Sequence, residues 1–180
     1  MSLRLFAALE LPDANADRLL ALMRDLPGAK WRPRENLHLT LRFFGDVPEP
    51  VADDIDAELS GVRLPAFDLA LRGVGSFGGA DPHALWVGAA ESAALRQLAA
   101  DCERAARRAG LPPEPRKFSP HVTLAYLSGA TVERVEAFAS RHALFQTPNF
   151  RVERFGLYSS FTRKSAPSLY RLEAEYPLLG

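Results

Sequence analysis

Two stretches of the sequence share one pattern: HLTL at His38–Leu41 and HVTL at His121–Leu124. Each copy places a histidine and a threonine two residues apart, with apolar residues between and after them. Because side chains alternate along a strand, His38 and Thr40 are predicted to share one face while the leucines pack on the other. The repeat therefore predicts two strands, each with an exposed His-x-Thr pair and a buried apolar face.

The elements predicted around the two motifs follow a similar order in each half of the chain. Apolar periodicity and Gly or Pro breaks predict helices over 14–26, 48–60, 92–109 and 131–142, and strands over 3–11, 37–44, 67–71, 74–77, 84–88, 121–127, 150–158 and 168–176. We expect an α+β fold of two similar lobes, with mixed or antiparallel sheets around a central cleft. Residues 1–180 are expected to form a single bilobal domain.

Charge limits the possible partners. The sequence contains 22 Lys and Arg residues and 22 Asp and Glu residues, which gives a formal net charge of zero. Proteins that coat a nucleic-acid duplex usually carry a basic excess, so this class is excluded. A few local cations can still hold one or two phosphates. Basic residues cluster before or within the motifs at Lys30, Arg32, Arg34, Arg42, Arg116 and Lys117.

Composition also limits the cellular compartment in which the protein is expected. Cys102 is the only cysteine, which excludes disulfides and thiolate metal clusters within the chain. No apolar run approaches the ~20 residues of a membrane span, and the first residues do not resemble a secretion signal. We expect a cytoplasmic protein without membrane association, and nothing in the sequence demands more than a monomer.

The paired motifs favour acid–base chemistry over metal binding. Threonine is a poor zinc ligand, and no cysteine pair or His-Glu-x-x-His motif accompanies the two histidines, so we expect no metal or other cofactor. Two imidazoles suit the opening of a phosphodiester: a neutral one takes a proton from the attacking water, and a protonated one gives a proton to the departing oxygen. Attacker and leaving group lie on opposite sides of phosphorus, so two facing strands can supply both imidazoles. Thr40 and Thr123 can donate to the non-bridging oxygens.

Longer stretches around the motifs resemble a known family. ENLHLTLRFFGDV (35–47) and FSPHVTLAYL (118–127) resemble the two signature motifs of the 2H phosphoesterase superfamily. RLFAALELP (4–12) and KWRPRENLHLTLRFFG (30–45) are similar specifically to the RNA 2′,3′-cyclic phosphodiesterases, once called 2′-5′ RNA ligases, as are ALWVG (84–88) and YRLEAEYPL (170–178). The resemblance implies a two-lobed fold with a pseudo-twofold cleft and no metal requirement. It also implies hydrolysis of a terminal 2′,3′-cyclic phosphate to a 2′-phosphate.

The resemblance also implies roles for the motif residues. His38 and His121 match the catalytic histidines, and Thr40 and Thr123 match the phosphate-binding threonines. The implied substrates are RNA 3′ ends or small cyclic nucleotides. The sequence does not decide which histidine is the acid and which the base. Our working hypothesis gives the attacking water to His121 and the leaving 3′-oxygen to His38.

The second motif departs from the common family pattern His-x-Thr-Leu-Ala-Arg, because Tyr126 stands at the arginine position. Tyr126 either stacks on a nucleobase or packs at the end of the strand. Arg42, predicted on the same strand face as His38 and Thr40, is expected to supply the missing charge. Phe6, in the first strand, either stacks on a base, forms the cleft floor or belongs to the core.

Two alternatives to hydrolysis stay open. One is a non-catalytic module that binds RNA ends or nucleotides in the same cleft, an interpretation that the Tyr126 substitution keeps open. The other is a reversible 2′-5′ RNA ligase, which would use the same groups in the opposite direction because of microscopic reversibility.

Overall fold

The structure is a computed structural model that describes residues 1–179. The strands in this range are β1 Ser2–Glu10, β2 Ala29–Trp31, β3 His38–Pro48, β4 Phe67–Leu69, β5 Leu71–Phe77, β6 Ala84–Ala89, β7 His121–Leu127, β8 Phe150–Val152, β9 Arg154–Arg163 and β10 Ala166–Pro177. The helices are α1 Asp13–Leu20, α2 Glu49–Ser60, α3 Ala93–Arg108, α4 Val132–Arg141 and a short 3₁₀ helix, Arg34–Asn36. Over the same range, no helix has the length and apolar character that crossing a membrane requires.

Two four-stranded sheets form the framework. The first has the strand order β10-β9-β1-β3 and contains the first motif on β3, and the second has the order β2-β7-β6-β5 and contains the second motif on β7. β4 and β8 pair separately as a two-stranded sheet. The ladders between these strands are antiparallel. The predicted α+β fold, with two similar sheets that each contain one motif, is confirmed.

The two sheets are interleaved along the chain. β2 comes from the first half of the sequence but lies at the edge of the second sheet, with Ala29 opposite Leu127. β9 and β10 come from the end of the sequence but belong to the first sheet, where β9 pairs with β1. Each sheet therefore combines segments from both halves, which the order of elements in the sequence did not predict.

The apolar faces of the two motif strands are buried in the core. Leu39, Leu41, Val122 and Leu124 are all at most 5% exposed, as strand alternation predicted. α2 packs against α3 and the first sheet, α3 also contacts β3, and α4 packs against β5. Burial of one face of each motif strand leaves the His-x-Thr face partly exposed.

Helix α1 is shorter than the sequence predicted, because it ends at Leu20 rather than at Leu26. The N–H groups of Leu22 and Met23 reach only three residues back, and Asp25 has a φ of 61°. Left-handed backbone at a non-glycine residue ends a right-handed helix. Leu22 and Leu26 are still buried, so their spacing reflects contact with the core and not a continuing helix.

Other predicted strand limits also differ from the structure. β3 does not end at Gly45 but continues to Pro48, because Gly45 (φ 81°) takes a positive-φ conformation next to a bulge, opposite Leu5. The short strand β2 was not predicted, since three residues are too few to show a period. The predicted strand over 150–158 is divided between β8 and β9.

Candidate active site

The exposed faces of β3 and β7 line a cleft of about 310 Å³ between the two sheets. His38 and Thr40 line this cleft from β3, and His121 and Thr123 line it from β7. The structure thus brings together the four polar side chains of the two motifs, although they are distant in sequence.

Both histidines are oriented by a backbone carbonyl two residues earlier. His38 Nδ1 lies 2.9 Å from the carbonyl oxygen of Asn36, and His121 Nδ1 lies 2.7 Å from the carbonyl oxygen of Ser119. Because a carbonyl oxygen only accepts, each Nδ1 carries a proton and donates it. Each Nε2 is therefore the nitrogen that can exchange a proton with a ligand.

The two Nε2 atoms differ in their surroundings. His38 Nε2 lies 3.0 Å from Thr40 Oγ1, so the threonine hydroxyl donates to the neutral ring. Within residues 1–179, His121 Nε2 has no hydrogen-bond partner. A water molecule can therefore approach His121 directly, whereas a ligand at His38 competes with Thr40.

Aromatic rings hold the plane of His38. The ring centroids of Phe6 and Tyr170 lie 4.8 and 5.1 Å from that of His38. Phe6 also stacks on Tyr158 and is only 4% exposed, although it lines the cleft. Phe6 thus forms the floor beneath the imidazole and presents little surface on which a base could stack.

His121 has a similar aromatic environment on the other sheet. The ring centroids of Phe77 and Trp86 lie 4.9 and 6.4 Å from that of His121. Gly75 is required beside this cluster, because a Cβ at residue 75 would overlap the indole ring of Trp86. The aromatic neighbours of both histidines restrict imidazole rotation, which keeps the two rings preorganised.

Burial lowers the pKa of His38 to about 4. Loss of solvent around the imidazolium is the largest cause; the Asn36 carbonyl opposes the shift, and the positive charges of Arg32 and His121 add to it. With these neighbours, the imidazole of His38 is neutral at pH 7. An anion that enters the cleft would favour its protonation.

The lowered pKa of His38 predicts a pH dependence of folding stability. The unfolded chain takes up this proton near pH 6.5 and the folded chain only near pH 4, so stability is lost as the pH falls between these values. The loss from this group amounts to about 2 kcal/mol between pH 7 and pH 5. Urea unfolding at both pH values measures it. His38→Asn should lack this loss of stability between pH 7 and pH 5. The control His83→Asn, at an exposed histidine, should retain it. Equal pH dependence in His38→Asn and the wild type would contradict the prediction.

A β-bulge follows the threonine of each motif, at Leu41 in β3 and at Leu124 in β7. Each bulge adds one residue without a partner on the neighbouring strand, so the alternation of faces shifts by one position. As a result, the residues that return to the cleft are Phe43 and Tyr126, each three positions after its threonine.

Arg42 lies outside the cleft, contrary to the expectation that it supplies charge there. The bulge at Leu41 turns it toward α3, where its Nε lies 2.5 Å from Glu103 Oε2. A second guanidinium nitrogen donates to the Pro112 carbonyl oxygen at 2.9 Å. The Arg42 side chain is only 9% exposed, so it joins β3 to α3 and the following loop.

This position predicts a role of Arg42 in stability and not in activity. Glu103→Ala leaves the buried Arg42 charge without its partner and should lower the free energy of unfolding by about 2–4 kcal/mol. The double variant Arg42→Met, Glu103→Ala should recover much of this loss, since the uncompensated charge is gone. Urea unfolding measures both effects. A more than tenfold fall in kcat/KM of folded Arg42→Met would instead show that Arg42 contributes to the activity of the cleft.

Tyr126 lines the cleft with half of its surface exposed, so it does not pack at a strand end. The guanidinium carbon of Arg32 lies 4.8 Å from its ring centroid. Arg32 and Arg4 also line the cleft, and neither was singled out from the sequence as a site residue. The sequence did contain a signal for the aromatic residues Phe43 and Tyr126. The two motifs align over six positions, HLTLRF and HVTLAY, and each ends in an aromatic residue.

Of the six basic residues that cluster near the motifs, only Arg32 lines the cleft. Arg34 forms ion pairs with Asp13 and Asp17, and Arg116 pairs with Glu114. In the part of the chain that the structure describes, no three His, Cys, Asp or Glu side chains are grouped as metal ligands.

Comparisons with known proteins identify similar sequences and folds. Residues 11–161 match the 2′-5′ RNA ligase superfamily. A protein of Aeropyrum pernix named RNA 2′,3′-cyclic phosphodiesterase is 45% identical over 98 residues, covering 53% of this chain and 56% of the relative. A protein of the same name from Geobacillus stearothermophilus is 34% identical over 159 residues, 86% of this chain and 49% of the relative. The chain thus spans about half the length of these two relatives.

Among solved structures, Escherichia coli LigT complexed with 3′-AMP has a similar fold. The two chains superimpose with a TM-score of 0.80 at 26% sequence identity, and the alignment covers 99% of each chain. The resemblance therefore includes both sheets and the cleft between them.

Proposed function

Because the chain belongs to the 2′-5′ RNA ligase superfamily, we propose that it hydrolyses the 2′,3′-cyclic phosphate of an RNA end or of a nucleotide to a 2′-phosphate. The observation that carries the proposal is the pair of His-x-Thr faces in one cleft, each with its Nε2 available for proton exchange. Relatives named RNA 2′,3′-cyclic phosphodiesterase support this substrate class, as does the LigT complex with 3′-AMP.

In the proposed reaction, water attacks phosphorus and the bond from phosphorus to O3′ breaks. One imidazole takes a proton from the water, and the other gives a proton to O3′, so the product has a 2′-phosphate and a free 3′-hydroxyl. The proton lost by the water and the proton gained by O3′ balance, so the two histidines exchange protonation states and must be reset before the next turnover.

We assign the water to His121 and O3′ to His38. Water reaches His121 readily, because its Nε2 has no partner within residues 1–179 and carries a lone pair in the neutral ring. His38 is the more buried imidazole, and burial lowers its pKa to about 4. The negative charge of a bound cyclic phosphate raises the pKa of His38 in this poorly solvated position, so His38 takes up a proton from the solvent and can act as the acid.

The threonines are proposed to bind the non-bridging oxygens. Thr40 donates to Nε2 of the neutral His38 ring. When His38 is protonated, its Nε2 no longer accepts, and the Thr40 hydroxyl is released to donate to the phosphate. Thr123, on the opposite strand, would donate to the second non-bridging oxygen. No metal is needed in this scheme, because the side chains supply both proton transfer and charge stabilisation.

The test is incubation of the protein with the four nucleoside 2′,3′-cyclic phosphates in the presence of EDTA. Hydrolysis to nucleoside 2′-phosphates, identified by ³¹P NMR, is expected at the same rate with and without the chelator. Loss of activity in EDTA that Mg²⁺ or Zn²⁺ restores would contradict the metal-independent mechanism. A 3′-phosphate product would contradict the assignment of O3′ as the leaving group.

The same experiment distinguishes the alternative functions. Tight binding of a nucleoside 2′-phosphate without hydrolysis of its cyclic precursor would identify a non-catalytic module. Joining of a 2′,3′-cyclic phosphate end to a 5′-hydroxyl end, at a rate above that of hydrolysis, would identify a 2′-5′ ligase. Both sheets contribute to the cleft, so we propose that the two lobes act together as one bilobal domain.

A further inference from the structure

Two arginine–aromatic pairs flank the cleft at equivalent positions of the two motif strands. Phe43 and Tyr126 each line the cleft after the bulge that follows a motif threonine. The guanidinium carbon of Arg4 lies 5.0 Å from the ring centroid of Phe43, and that of Arg32 lies 4.8 Å from the centroid of Tyr126. Both distances are those of cation–π contacts.

The two pairs differ in charge balance. Arg4 Nη1 lies 3.2 Å from Asp46 Oδ2, and the Arg4 side chain is 48% exposed. Arg32 is only 7% exposed, and within residues 1–179 its guanidinium makes neither an ion pair nor a hydrogen bond. Over this range, none of its guanidinium nitrogens is both fully buried and unpaired, so its free N–H donors are open to the cleft. Arg32 is therefore suited to an anion that is not part of the protein.

Arg32 is also fixed next to the reacting groups. Its backbone N–H donates to the Leu124 carbonyl oxygen at 2.8 Å, which attaches it to the strand that contains Thr123 and His121. Its side chain lines the cleft together with both histidines, and its charge contributes to the lowered pKa of His38. An anion between the two imidazoles thus lies within Coulombic reach of Arg32.

We propose that Arg32 binds the non-bridging oxygens of the scissile phosphate, and that Tyr126 holds its guanidinium in position through the cation–π contact. The inference rests on the proposed function and adds the residue that neutralises the phosphate. A guanidinium presents two parallel N–H donors to two phosphate oxygens. Arg4 differs from Arg32 because its side chain is half exposed and its guanidinium already pairs with Asp46.

The first test compares Arg32→Met with Arg4→Met, its counterpart across the cleft. Arg32→Met should lower kcat/KM for a nucleoside 2′,3′-cyclic phosphate by about 10- to 100-fold, and weaken binding of inorganic phosphate by a similar factor in isothermal titration calorimetry. Arg4→Met should have a smaller effect on both than Arg32→Met, because the exposed Arg4 already pairs with Asp46. Equal effects of the two substitutions, or unchanged phosphate affinity in Arg32→Met, would overturn the proposal.

Thermal unfolding separates this role from a structural one. Because the Arg32 guanidinium makes no ion pair or hydrogen bond within residues 1–179, the melting temperature of Arg32→Met should be at or above that of the wild type. A structural role predicts the opposite, namely a lower melting temperature with unchanged phosphate affinity in the folded protein. Arg32→Lys keeps the charge but not the paired donors, and should retain an intermediate phosphate affinity.

A rescue variant tests the position of the charge. In Arg32→Met, Tyr126→Arg, a guanidinium returns to within a few ångströms of the same point from the neighbouring strand. This double variant should recover at least tenfold in phosphate affinity over Arg32→Met, whereas Arg32→Met, Phe43→Arg should recover less. Equal recovery in both would show that any added cation suffices, and would overturn the specific assignment.

Phosphate affinity is measured without turnover, so the inference and the proposed function can fail separately. A wild-type protein that hydrolyses no cyclic phosphate, but loses phosphate affinity in Arg32→Met, would contradict the proposed function and support the Arg32 site. A wild-type protein that hydrolyses cyclic phosphates, together with unchanged phosphate affinity in Arg32→Met, would support the proposed function and contradict the Arg32 site.

Discussion

Replacement of His38 or His121 by alanine is expected to lower kcat on a nucleoside 2′,3′-cyclic phosphate by about 10²–10⁴-fold. Each substitution removes one of two proton transfers, which the remaining groups in the cleft cannot perform. KM should change much less, because the threonines and Arg32, which we propose to bind the phosphate, are unchanged. Steady-state kinetics near pH 7 measures both constants.

The double variant His38→Ala, His121→Ala adds a quantitative check. Because the two proton transfers belong to one displacement, the combined loss should be well below the product of the single losses. His83→Ala is the matched control, since this histidine is exposed and does not line the cleft. Turnover within threefold of wild type in either cleft variant would exclude the two-histidine mechanism.

A sulfur leaving group separates the two roles. A substrate in which sulfur replaces O3′ in the cyclic ester departs as a thiolate and needs little protonation. On this substrate, His38→Ala should recover most of its lost rate relative to wild type, whereas His121→Ala should remain slow. The reverse pattern would exchange the two assignments. Recovery in neither variant would show that neither histidine protonates the leaving group.

The four motif residues were predictable because strand alternation is a local property. His38 and Thr40 share a face whatever strand pairs with β3, and the burial of Leu39 follows from the same geometry. The repetition of the pattern around His121 was the evidence that two such faces meet. Their convergence in one cleft is what a shared phosphate requires.

The positions of Arg42 and Tyr126 could not be derived in the same way. Simple alternation beyond Thr40 places Arg42 in the cleft, and alternation beyond Thr123 turns Tyr126 away from it. The bulges at Leu41 and Leu124 reverse both outcomes. A bulge depends on the register with the neighbouring strand, which is a non-local property that a single strand does not encode.

Arg32 shows a second limit of sequence reasoning. It was one of six basic residues near the motifs, and nothing in its local sequence separates it from Arg34, which forms ion pairs with two aspartates. Arg32 differs in that its largely buried side chain has no ion-pair partner within residues 1–179, and it directly follows β2, which pairs with β7. Because β2 has only three residues, its addition to the second sheet was not visible in the sequence.

Substitution of valine for Thr40 or Thr123 is expected to lower kcat by about 10²–10³-fold. Valine preserves the shape of the side chain and removes only the hydroxyl, so packing of the motif strands should be retained. The loss falls mainly on kcat, because the non-bridging oxygens gain negative charge as water attacks. Thr40→Ser and Thr123→Ser keep a donor and should stay within about tenfold of wild type.

The stereochemistry of a phosphorothioate substrate tests whether the two threonines contact different oxygens. Sulfur is a weak acceptor, so in the wild type each diastereomer of a 2′,3′-cyclic phosphorothioate loses the hydrogen bond to one threonine. Thr40→Val should abolish the rate penalty for one diastereomer only, and Thr123→Val should abolish it for the other, since the hydroxyls approach from opposite strands. If both variants affect the same diastereomer, the two hydroxyls share one oxygen, and the cleft does not place the phosphate symmetrically between β3 and β7.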